Sequence, residues 1–241
     1  MIELGRIEAL FRYPVKSMRG ESLAAAALGW HGIECDRRFA IRRLDDAGGF
    51  PWLTASKLPD LVRFTPLRQT PSDENELPTR VRTPDADELP LLGDALAAEI
   101  AGRCGLAVQI LQLRQGIFDE ASVSVIGSAT VREVCRLGGV PDDVRRFRPN
   151  ILLRSTGETP FEEDAWVGGT VTFGDGPRTP AIAITMRDLR CVMVNIDPDR
   201  ASTDPQVLKA VVSANQSHAG VYAAVVRTGP LAVGDKVFLH R

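Results

Sequence analysis

The alternation of apolar and polar residues near the start of the chain predicts β-strands rather than helices. Glu3 to Phe11 alternates loosely, and the proline-containing segment Tyr13–Ser17 then interrupts the pattern as a loop. Short apolar runs bounded by turn residues recur along the rest of the chain. They predict further strands at Ser22–Leu28, Ile33, Phe39–Ile41, Ser122–Ile126, Ile151–Leu153, within Trp166–Gly174, and at Ala181–Met186, Cys191–Ile196, Gly220–Val226 and Lys236–Leu239.

Three segments show the spacing of a helix instead. Leu96, Ile100 and Cys104 lie on one helical face, and Gly105 suits the C-terminal cap of that helix. The second of these segments ends in a pair of glycines, which stop a helix, and the third contains a proline that suits the first turn of a helix. These two patterns predict helices over about 128–138 and 204–214.

Many strands, few helices and no strict strand–helix alternation favour a β-rich α+β fold. We expect a barrel with helical insertions rather than a doubly wound sheet. The segment from about Thr65 to Pro90 is rich in Pro, Thr, Asp and Glu, and we expect a mobile loop or a hairpin of edge strands there. Nucleotide cofactors lack their usual anchor, because the sequence contains neither a Gly-x-Gly-x-x-Gly nor a Walker-type loop.

Composition narrows the possible partners. The 241 residues, 44% of them hydrophobic, suffice for one large domain or two closely packed small ones. A net charge of −2 implies no strongly basic face, so nucleic acid and anionic membranes are not expected partners. The N-terminal residues lack the features of a signal peptide, and no apolar run approaches the roughly 20 residues of a transmembrane helix. We therefore expect a cytoplasmic protein.

Cys191 is the candidate for chemistry. It lies among basic residues in the run Arg187–Asp199, and a nearby positive charge favours the thiolate. A thiolate is either a nucleophile or a soft ligand for a transition metal, although a buried, inert thiol is the commonest role of a single cysteine in an apolar strand. The other cysteines, which form no Cys-x-x-Cys pair, are assigned to that inert role: Cys35, Cys104 and Cys135.

Three polar segments could bind an anion. Lys16 and Ser17 combine an ammonium with a hydroxyl, and of the two arginines in Asp36–Arg38 one could reach a phosphate while the other pairs with a carboxylate. In Arg146–Asn150, Pro149 is expected to hold Arg148 in an extended conformation, so that Arg148 and Asn150 project on the same side. The alternatives are a solvated surface loop for Lys16 and Ser17, a strand whose charges face water for Asp36–Arg38, and a positively charged loop capped by Asn150 for Arg146–Asn150.

Taken in order, these segments resemble the MOSC-domain proteins, named after the C-terminal domain of molybdenum cofactor sulfurase. The nearest branch resembles the mitochondrial amidoxime-reducing component and its bacterial counterparts. The matching runs are Tyr13–Ser17, Asp36–Phe39, Arg146–Asn150, Phe161–Trp166 and Arg190–Met193. The resemblance implies an N-terminal MOSC β-barrel-like domain over residues 1–115, packed on a MOSC β-barrel with helical insertions over residues 116–241.

The resemblance also implies a bound molybdenum cofactor, in which a pterin dithiolene carries the metal. Cys191 then supplies the thiolate ligand and is the catalytic and metal-binding residue. The segment Asp119–Ser122 matches a loop that contacts the cofactor largely through its backbone. The residues implied to bind the cofactor are Lys16, Ser17, Arg37, Asp119, Ala121, Arg148, Asn150, Arg190 and Tyr222.

Two functions follow from the resemblance. The first is an oxidoreductase that reduces N-hydroxylated compounds, such as amidoximes, hydroxylamines and N-hydroxylated bases. Since the sequence includes no ferredoxin-like domain, its electrons are expected from a separate protein of the ferredoxin, flavodoxin or cytochrome type. The alternative is a carrier that holds the molybdenum cofactor, or that carries sulfur as a persulfide on Cys191. A domain that keeps the fold but has lost the cofactor site is a third possibility.

Overall fold

A closed barrel of seven strands forms the main body of the protein. The computed structural model describes residues 1–70 and 76–241. Within them the strands are β1 (Ile2–Arg12), β2 (Glu21–Leu23), β3 (Ala25–Gly29), β4 (Gly32–Ile33), β5 (Phe39–Arg43), β6 (Thr65–Leu67), β7 (Arg80–Arg82), β8 (Glu88–Pro90), β9 (Val108–Gln112), β10 (Val123–Gly127), β11 (Ile151–Ser155), β12 (Thr170–Phe173), β13 (Ala181–Leu189), β14 (His218–Arg227), β15 (Gly229–Ala232) and β16 (Lys236–His240). The helices are α1 (Asp94–Cys104), α2 (Ser128–Gly138) and α3 (Gln206–Asn215).

The barrel runs in the order β11-β10-β14-β13-β12-β16-β1 and closes where β1 pairs with β11. All of these pairs are antiparallel except β10 with β11, which are parallel and are connected through α2. Alternating apolar side chains fill the interior, among them Leu10, Val125 and Ile182, which are at most 3% exposed. The predicted β-rich barrel with helical insertions is confirmed.

The helices α2 and α3 pack against each other outside the barrel. Val134 of α2 and Val211 of α3 belong to one buried cluster with Phe147, which precedes β11. A left-handed glycine, Gly139, follows α2, as the pair of glycines in the sequence predicts. This cluster supports the segment between α2 and β11, which later contributes to the candidate site.

A second core lies in the N-terminal half of the chain. There β5 pairs with β9, and Leu96 and Ile100 of α1 are buried against this small sheet and its surrounding segments. The strands β6, β7 and β8 form a three-stranded antiparallel sheet in the region where the sequence predicts a mobile loop or a hairpin of edge strands. Part of that prediction, residues 71–75, lies outside the described residues.

The boundary between residues 115 and 116 stays a prediction. The structure places β1, from the N-terminal half, between β11 and β16 as a strand of the barrel. Strand β3 likewise pairs with β15, near the end of the chain. The two sequence halves are therefore interleaved through their sheets.

The predicted strand Cys191–Ile196 is wrong. Strand β13 extends to Leu189, and a short 3₁₀ helix, Val192–Asn195, follows Cys191. The physical reason is that the apolar residues of this run pack in different places: Val194 belongs to the cluster around α2 and α3, Ile196 belongs to the N-terminal core, and Val192 is 47% exposed. A continuous strand would place Val192, Val194 and Ile196 on one face.

None of the helices in residues 1–70 and 76–241 is both long and apolar enough to cross a membrane.

Glu163 gives a prediction about stability and pH. Its side chain is completely buried, accepts hydrogen bonds from Thr130 Oγ1 at 2.9 Å and Gly127 N at 3.4 Å, and burial raises its pKa. Between the ordinary glutamate pKa and this raised value, the folded state binds more protons than the unfolded state, so stability should fall as pH rises. We expect Glu163→Gln to remove this loss.

Urea unfolding of both proteins between about pH 5 and pH 8 tests this expectation. The difference in unfolding free energy between Glu163→Gln and wild type should shift in favour of the variant as pH rises. Glu162→Gln makes the same chemical change at the neighbouring, half-buried position and is the matched control. Parallel pH profiles of wild type and Glu163→Gln would contradict the proposed burial of a titrating carboxyl.

Candidate functional site

A cavity of about 360 Å³ opens where the N-terminal segments meet one end of the barrel. Segments that are far apart in the sequence supply its walls, and both halves of the chain contribute. The lining residues are Lys16, Ser17, Arg37, Phe50, Thr54, Ser56, Asp119, Glu120, Ser124, Arg146, Phe147, Arg148, Asp188, Leu189, Arg190, Cys191, Met193, Val194 and Tyr222. Seven of the nine predicted cofactor-binding residues, together with Cys191, are therefore brought together, and Ala121 and Asn150 are not in the lining.

Cys191 is the exposed cysteine of the chain and lines this cavity. It lies between the end of β13 and the 3₁₀ helix, where the Arg190 N–H donates to Ser217 O at 2.8 Å. By contrast, Cys35 and Cys135 are buried, and burial raises the pKa of both thiols. Cys191 thus has the access that a metal ligand or a nucleophile needs.

Lys16 and Asp119 form an ion pair on one side of the cavity. The Nζ–Oδ1 distance is 2.7 Å, and the lysine side chain is 6% exposed while the aspartate is 64% exposed. Burial lowers the pKa of Lys16, although the Asp119 carboxylate opposes this shift. Ser17 follows with a positive φ of 70°, which turns the chain at the cavity wall. The predicted loop 119–122 therefore contributes a side-chain carboxylate to the site.

Arg37 lies in the cavity wall and is held by a buried carboxylate. Its Nη1 donates to Asp36, and its Nη2 donates to Arg148 O at 3.2 Å. The Tyr13 ring packs beneath the guanidinium at 5.0 Å. Asp36, whose side chain is fully buried, also accepts a hydrogen bond from Tyr13 N at 2.7 Å. Arg37 thus lines the cavity and also pairs with the Asp36 carboxylate.

Arg148 is the least compensated cation of the wall. Its guanidinium lies 4.2 Å from the centre of the Tyr13 ring, and its Nη2 is buried without a hydrogen-bond partner. Burial lowers the pKa of Arg148 to about 10. The predicted extended conformation before Pro149 is wrong, since the φ of Arg148 is 51°. The contact with Tyr13 and the hydrogen bond from Arg37 to its carbonyl outweigh the local preference.

Asn150 lies beneath the cavity floor rather than in the lining. Its Nδ2 donates to Asp36 Oδ2 at 3.0 Å, and its Oδ1 accepts from Ser124 N at 3.1 Å. Asn150 is 1% exposed. In this position it joins β10 and the Asp36–Arg37 pair, and it orients the arginine through the carboxylate.

Arg190 ties three segments together next to Cys191. Its Nε donates to Ala219 O at 2.6 Å, its Nη1 donates to Phe147 O at 2.7 Å, and its Nη2 lies 2.8 Å from Asp188. Gly220 follows Ala219, whose carbonyl accepts one of these hydrogen bonds. A glycine is required there because φ is 86° and a Cβ atom would lie 2.7 Å from Val125 O. Arg190 therefore fixes the backbone before Cys191.

The cavity is also lined by a buried carboxyl group, Asp188, which the sequence interpretation missed. Asp188 accepts a hydrogen bond from Ser124 Oγ at 3.1 Å, and burial raises its pKa. Burial and then the nearby Asp188 charge also raise the pKa of Tyr222. The sequence signal for Asp188 is an acidic residue flanked by two arginines at the end of an apolar strand. Other lining residues that were missed are Phe50, Thr54, Ser56 and Ser124.

Comparisons with known proteins agree with this architecture. The MOSC domain model matches residues 97–238, which is more than half of the chain. The chain belongs to the MOSC domain family. The model of the MOSC N-terminal β-barrel domain matches residues 4–110.

Two known proteins resemble this chain over nearly its whole length. The mitochondrial amidoxime reducing component 2 of Bos taurus is 24% identical over 296 residues, covering 98% of this chain and 83% of the relative. The crystal structure of the YuaD protein from Bacillus subtilis superimposes with a TM-score of 0.53 at 14% identity, covering 98% of this chain and 95% of that one. The second likeness supports the fold alone.

MOSC domains are associated with molybdenum cofactor binding, and the cavity suits such a group. Its lining contains five basic and three acidic side chains, so it favours an anionic ligand such as a phosphate-bearing pterin. Lys16 Nζ donates to one carboxylate oxygen at 2.7 Å and, as an ammonium with three donors, keeps further donors for an oxyanion of that group. Cys191 adds a soft sulfur ligand of the kind that a dithiolene-bound metal accepts.

Proposed function

We propose that this MOSC protein is a molybdenum-cofactor-dependent oxidoreductase that reduces N-hydroxylated compounds. The observation that carries the proposal is the exposed Cys191 in a cavity whose walls hold Lys16, Arg37 and Arg148. The name of the bovine relative supports the reaction class, since it describes the reduction of amidoximes. The overall reaction adds two electrons and two protons to an N–OH group and releases an amine or amidine and water.

In this proposal the basic wall holds the phosphate and the pterin. Lys16 is fixed by Asp119, and Arg37 is fixed by Asp36, so both cations are placed before the ligand arrives. Preorganised donors of this kind lose little freedom on binding. Cys191 would hold the metal, and the cofactor would supply the two-electron redox chemistry. Arg190, through its bonds to Phe147 O and Ala219 O, keeps the cysteine backbone in place.

Substrate and redox partner would approach at the open side of the cavity. Leu189 and Val192 flank Cys191 and are 64% and 47% exposed. They offer an apolar surface to the carbon skeleton of an N-hydroxylated compound. We propose that the electrons come from a separate protein of the ferredoxin, flavodoxin or cytochrome type, and the exposure of this edge allows such a protein to approach the cysteine.

A carrier function is the second candidate, and the exposure of Cys191 favours it too. A persulfide on Cys191 would be accessible to an acceptor. If the protein is such a carrier, a preparation that contains no molybdenum would still carry persulfide sulfur on Cys191.

One preparation separates these functions. The protein is purified from cells that make the cofactor, and molybdenum, pterin and persulfide sulfur are measured per chain. Reduction of benzamidoxime to benzamidine is then followed with reduced methyl viologen as donor. We expect near-stoichiometric molybdenum and turnover; molybdenum without turnover would favour the carrier, and a chain without molybdenum or pterin would overturn the proposal.

Lys16 gives a prediction about cofactor retention. Replacing it with methionine removes the charge but keeps an apolar stem, and it leaves the exposed Asp119 unpaired in the cavity wall. We expect pterin affinity to fall at least about tenfold. Burial lowers the pKa of Lys16, so this lysine loses its charge at a lower pH than an ordinary lysine does. The pterin affinity of the wild-type protein should therefore begin to fall at a correspondingly lower pH.

The measurement is pterin content after exhaustive dialysis at several pH values. Lys57→Met, a substitution at an exposed lysine, is the matched control and should retain wild-type pterin. Equal retention by Lys16→Met and Lys57→Met would remove Lys16 from the binding site.

A further inference from the structure

A second, smaller cavity of about 90 Å³ adjoins the large one, and we call it the inner chamber. Arg146, Arg148 and Met193 line both cavities, so these residues form the partition between them. The remaining residues of the inner chamber come from the start of the chain, from the segment before α1, from the segment between α2 and β11 and from the segment after the 3₁₀ helix. They are Phe11, Tyr13, Arg19, Gly20, Ser22, Val62, Arg145, Ile196 and Pro198.

The charges around the inner chamber leave it positive. Four arginines line it, and no acidic residue does. Three of them pair with carboxylates outside the lining: Arg19 with Asp199 at 3.1 Å, Arg145 with Asp143 at 2.7 Å and Asp199 at 2.6 Å, and Arg146 with Asp197 at 3.1 Å. Arg148, in contact with the Tyr13 ring, contributes the remaining positive charge. A single negative charge would balance it.

Buried polar atoms without partners are concentrated in the residues of this chamber. Within the described part of the chain, they include Tyr13 Oη, Arg19 Nε, Arg146 Nε and Arg148 Nη2. Tyr13 is 2% exposed and Arg146 is 5% exposed. Buried polar groups in folded proteins are nearly always hydrogen-bonded, so a buried donor without a protein partner can accommodate a water or an ion. All four atoms are donors, as an anion requires.

The rest of the wall is apolar. Phe11, Val62, Met193, Ile196 and Pro198 contribute hydrocarbon surface. Gly20 allows this shape, because a Cβ atom at that position would lie 2.4 Å from the Tyr13 ring. The volume equals that of about three water molecules in the liquid. The chamber thus combines a cationic end with an apolar wall in a space of acetate size.

We propose that the inner chamber is a binding site for a small carboxylate of acetate or propionate size. The carboxylate accepts hydrogen bonds from Arg148 and Tyr13 and balances the Arg148 charge, and its short alkyl part packs against Val62 and Met193. This site is separate from the cofactor cavity and needs no cofactor. Since Arg148 belongs to both cavities, an occupied chamber also fixes one residue of the cofactor wall.

The test is a thermal unfolding series with sodium acetate at constant pH and ionic strength, using the full chain. A ligand at about ten times its Kd should raise the Tm by about 3 °C in a protein of this size. Benzoate, which is too large for the chamber, and chloride, which lacks the alkyl part, are the comparison anions. Equal effects of the three anions, or no effect of acetate, would overturn the proposal.

Two variants locate the effect. Ser22→Phe places a large side chain from an exposed position of β2 into the chamber and should abolish the acetate shift, whereas Ser213→Phe on α3, which lines neither cavity, should retain it. Tyr13→Phe removes one donor and should weaken acetate binding about fivefold. A full acetate shift in both Ser22→Phe and Tyr13→Phe would place the carboxylate elsewhere.

The cofactor-loaded protein provides the last arm. We expect the acetate shift with and without bound pterin. Loss of the shift on loading would show that the inner chamber belongs to the cofactor site, which would overturn the proposal of a separate site. This arm does not depend on the reductase reaction, because it measures unfolding temperature and not turnover.

Discussion

Replacing Cys191 by serine is expected to reduce amidoxime turnover by at least about 100-fold, since removal of groups that only orient a metal ligand already lowers affinity or activity 10–100-fold. A serine hydroxyl is a harder and more weakly acidic ligand than a thiol, so it cannot replace the thiolate. The pterin should stay bound, because Lys16 and Arg37 are held in place by Asp119 and Asp36 independently of the cysteine.

The measurement combines turnover with molybdenum and pterin per chain. Cys104→Ser is the matched control, since Cys104 lies half-buried in α1 outside the cavity lining, and the same chemical change there should leave turnover within about twofold. Wild-type molybdenum and turnover in Cys191→Ser would exclude the cysteine as the metal ligand. Loss of pterin together with molybdenum would show that the cysteine anchors the whole cofactor.

Replacing Asp36 by alanine is expected to lower the free energy of unfolding by about 3–5 kcal/mol, because it leaves buried groups without their acceptor. The carboxylate accepts from Tyr13 N at 2.7 Å, from Asn150 Nδ2 at 3.0 Å and from Arg37. Its side chain is fully buried, so water cannot take its place without local rearrangement.

Urea unfolding of the chain without cofactor measures this effect. Asp36→Asn keeps the shape and should lose less stability than Asp36→Ala, whereas Asp175→Ala, at an exposed aspartate, should change it by less than about 0.5 kcal/mol. If Asp36→Ala also changed the free energy of unfolding by less than about 0.5 kcal/mol, the buried network around Asp36 would contribute nothing to stability.

The sequence predicted those elements whose cause is local. The helices over 128–138 and 204–214 agree with α2 and α3 to within two residues, because amphipathic spacing and terminal glycine or proline act within one turn. The strand after Cys191 was wrong because tertiary packing separates Val194 and Ile196 into different cores. The same holds for Arg148, where a contact with Tyr13, far away in the sequence, outweighs the effect of Pro149.

The site was predictable in its residue types but not in its connections. Sequence motifs indicated Lys16, Arg37 and Cys191, and the structure brings them to one cavity. They could not reveal which carboxylate holds which cation, since the Lys16–Asp119 contact spans 103 positions of the chain. Nor could they reveal that Asn150 supports Asp36 beneath the cavity, because side-chain direction depends on the closed barrel.

The position of β1 in the barrel has a consequence for biosynthesis. Ile2–Arg12 is synthesised before its partners in the barrel, β11 and β16, the latter at Lys236–His240, and its last residues, Leu10–Arg12, pair with the nearby strand β2. At about 5–20 residues per second, β1 waits roughly 10–50 s for its last partner. During that interval its apolar face and unpaired backbone edge are open to other chains. Translation speed and chaperone supply should therefore govern the yield of this protein.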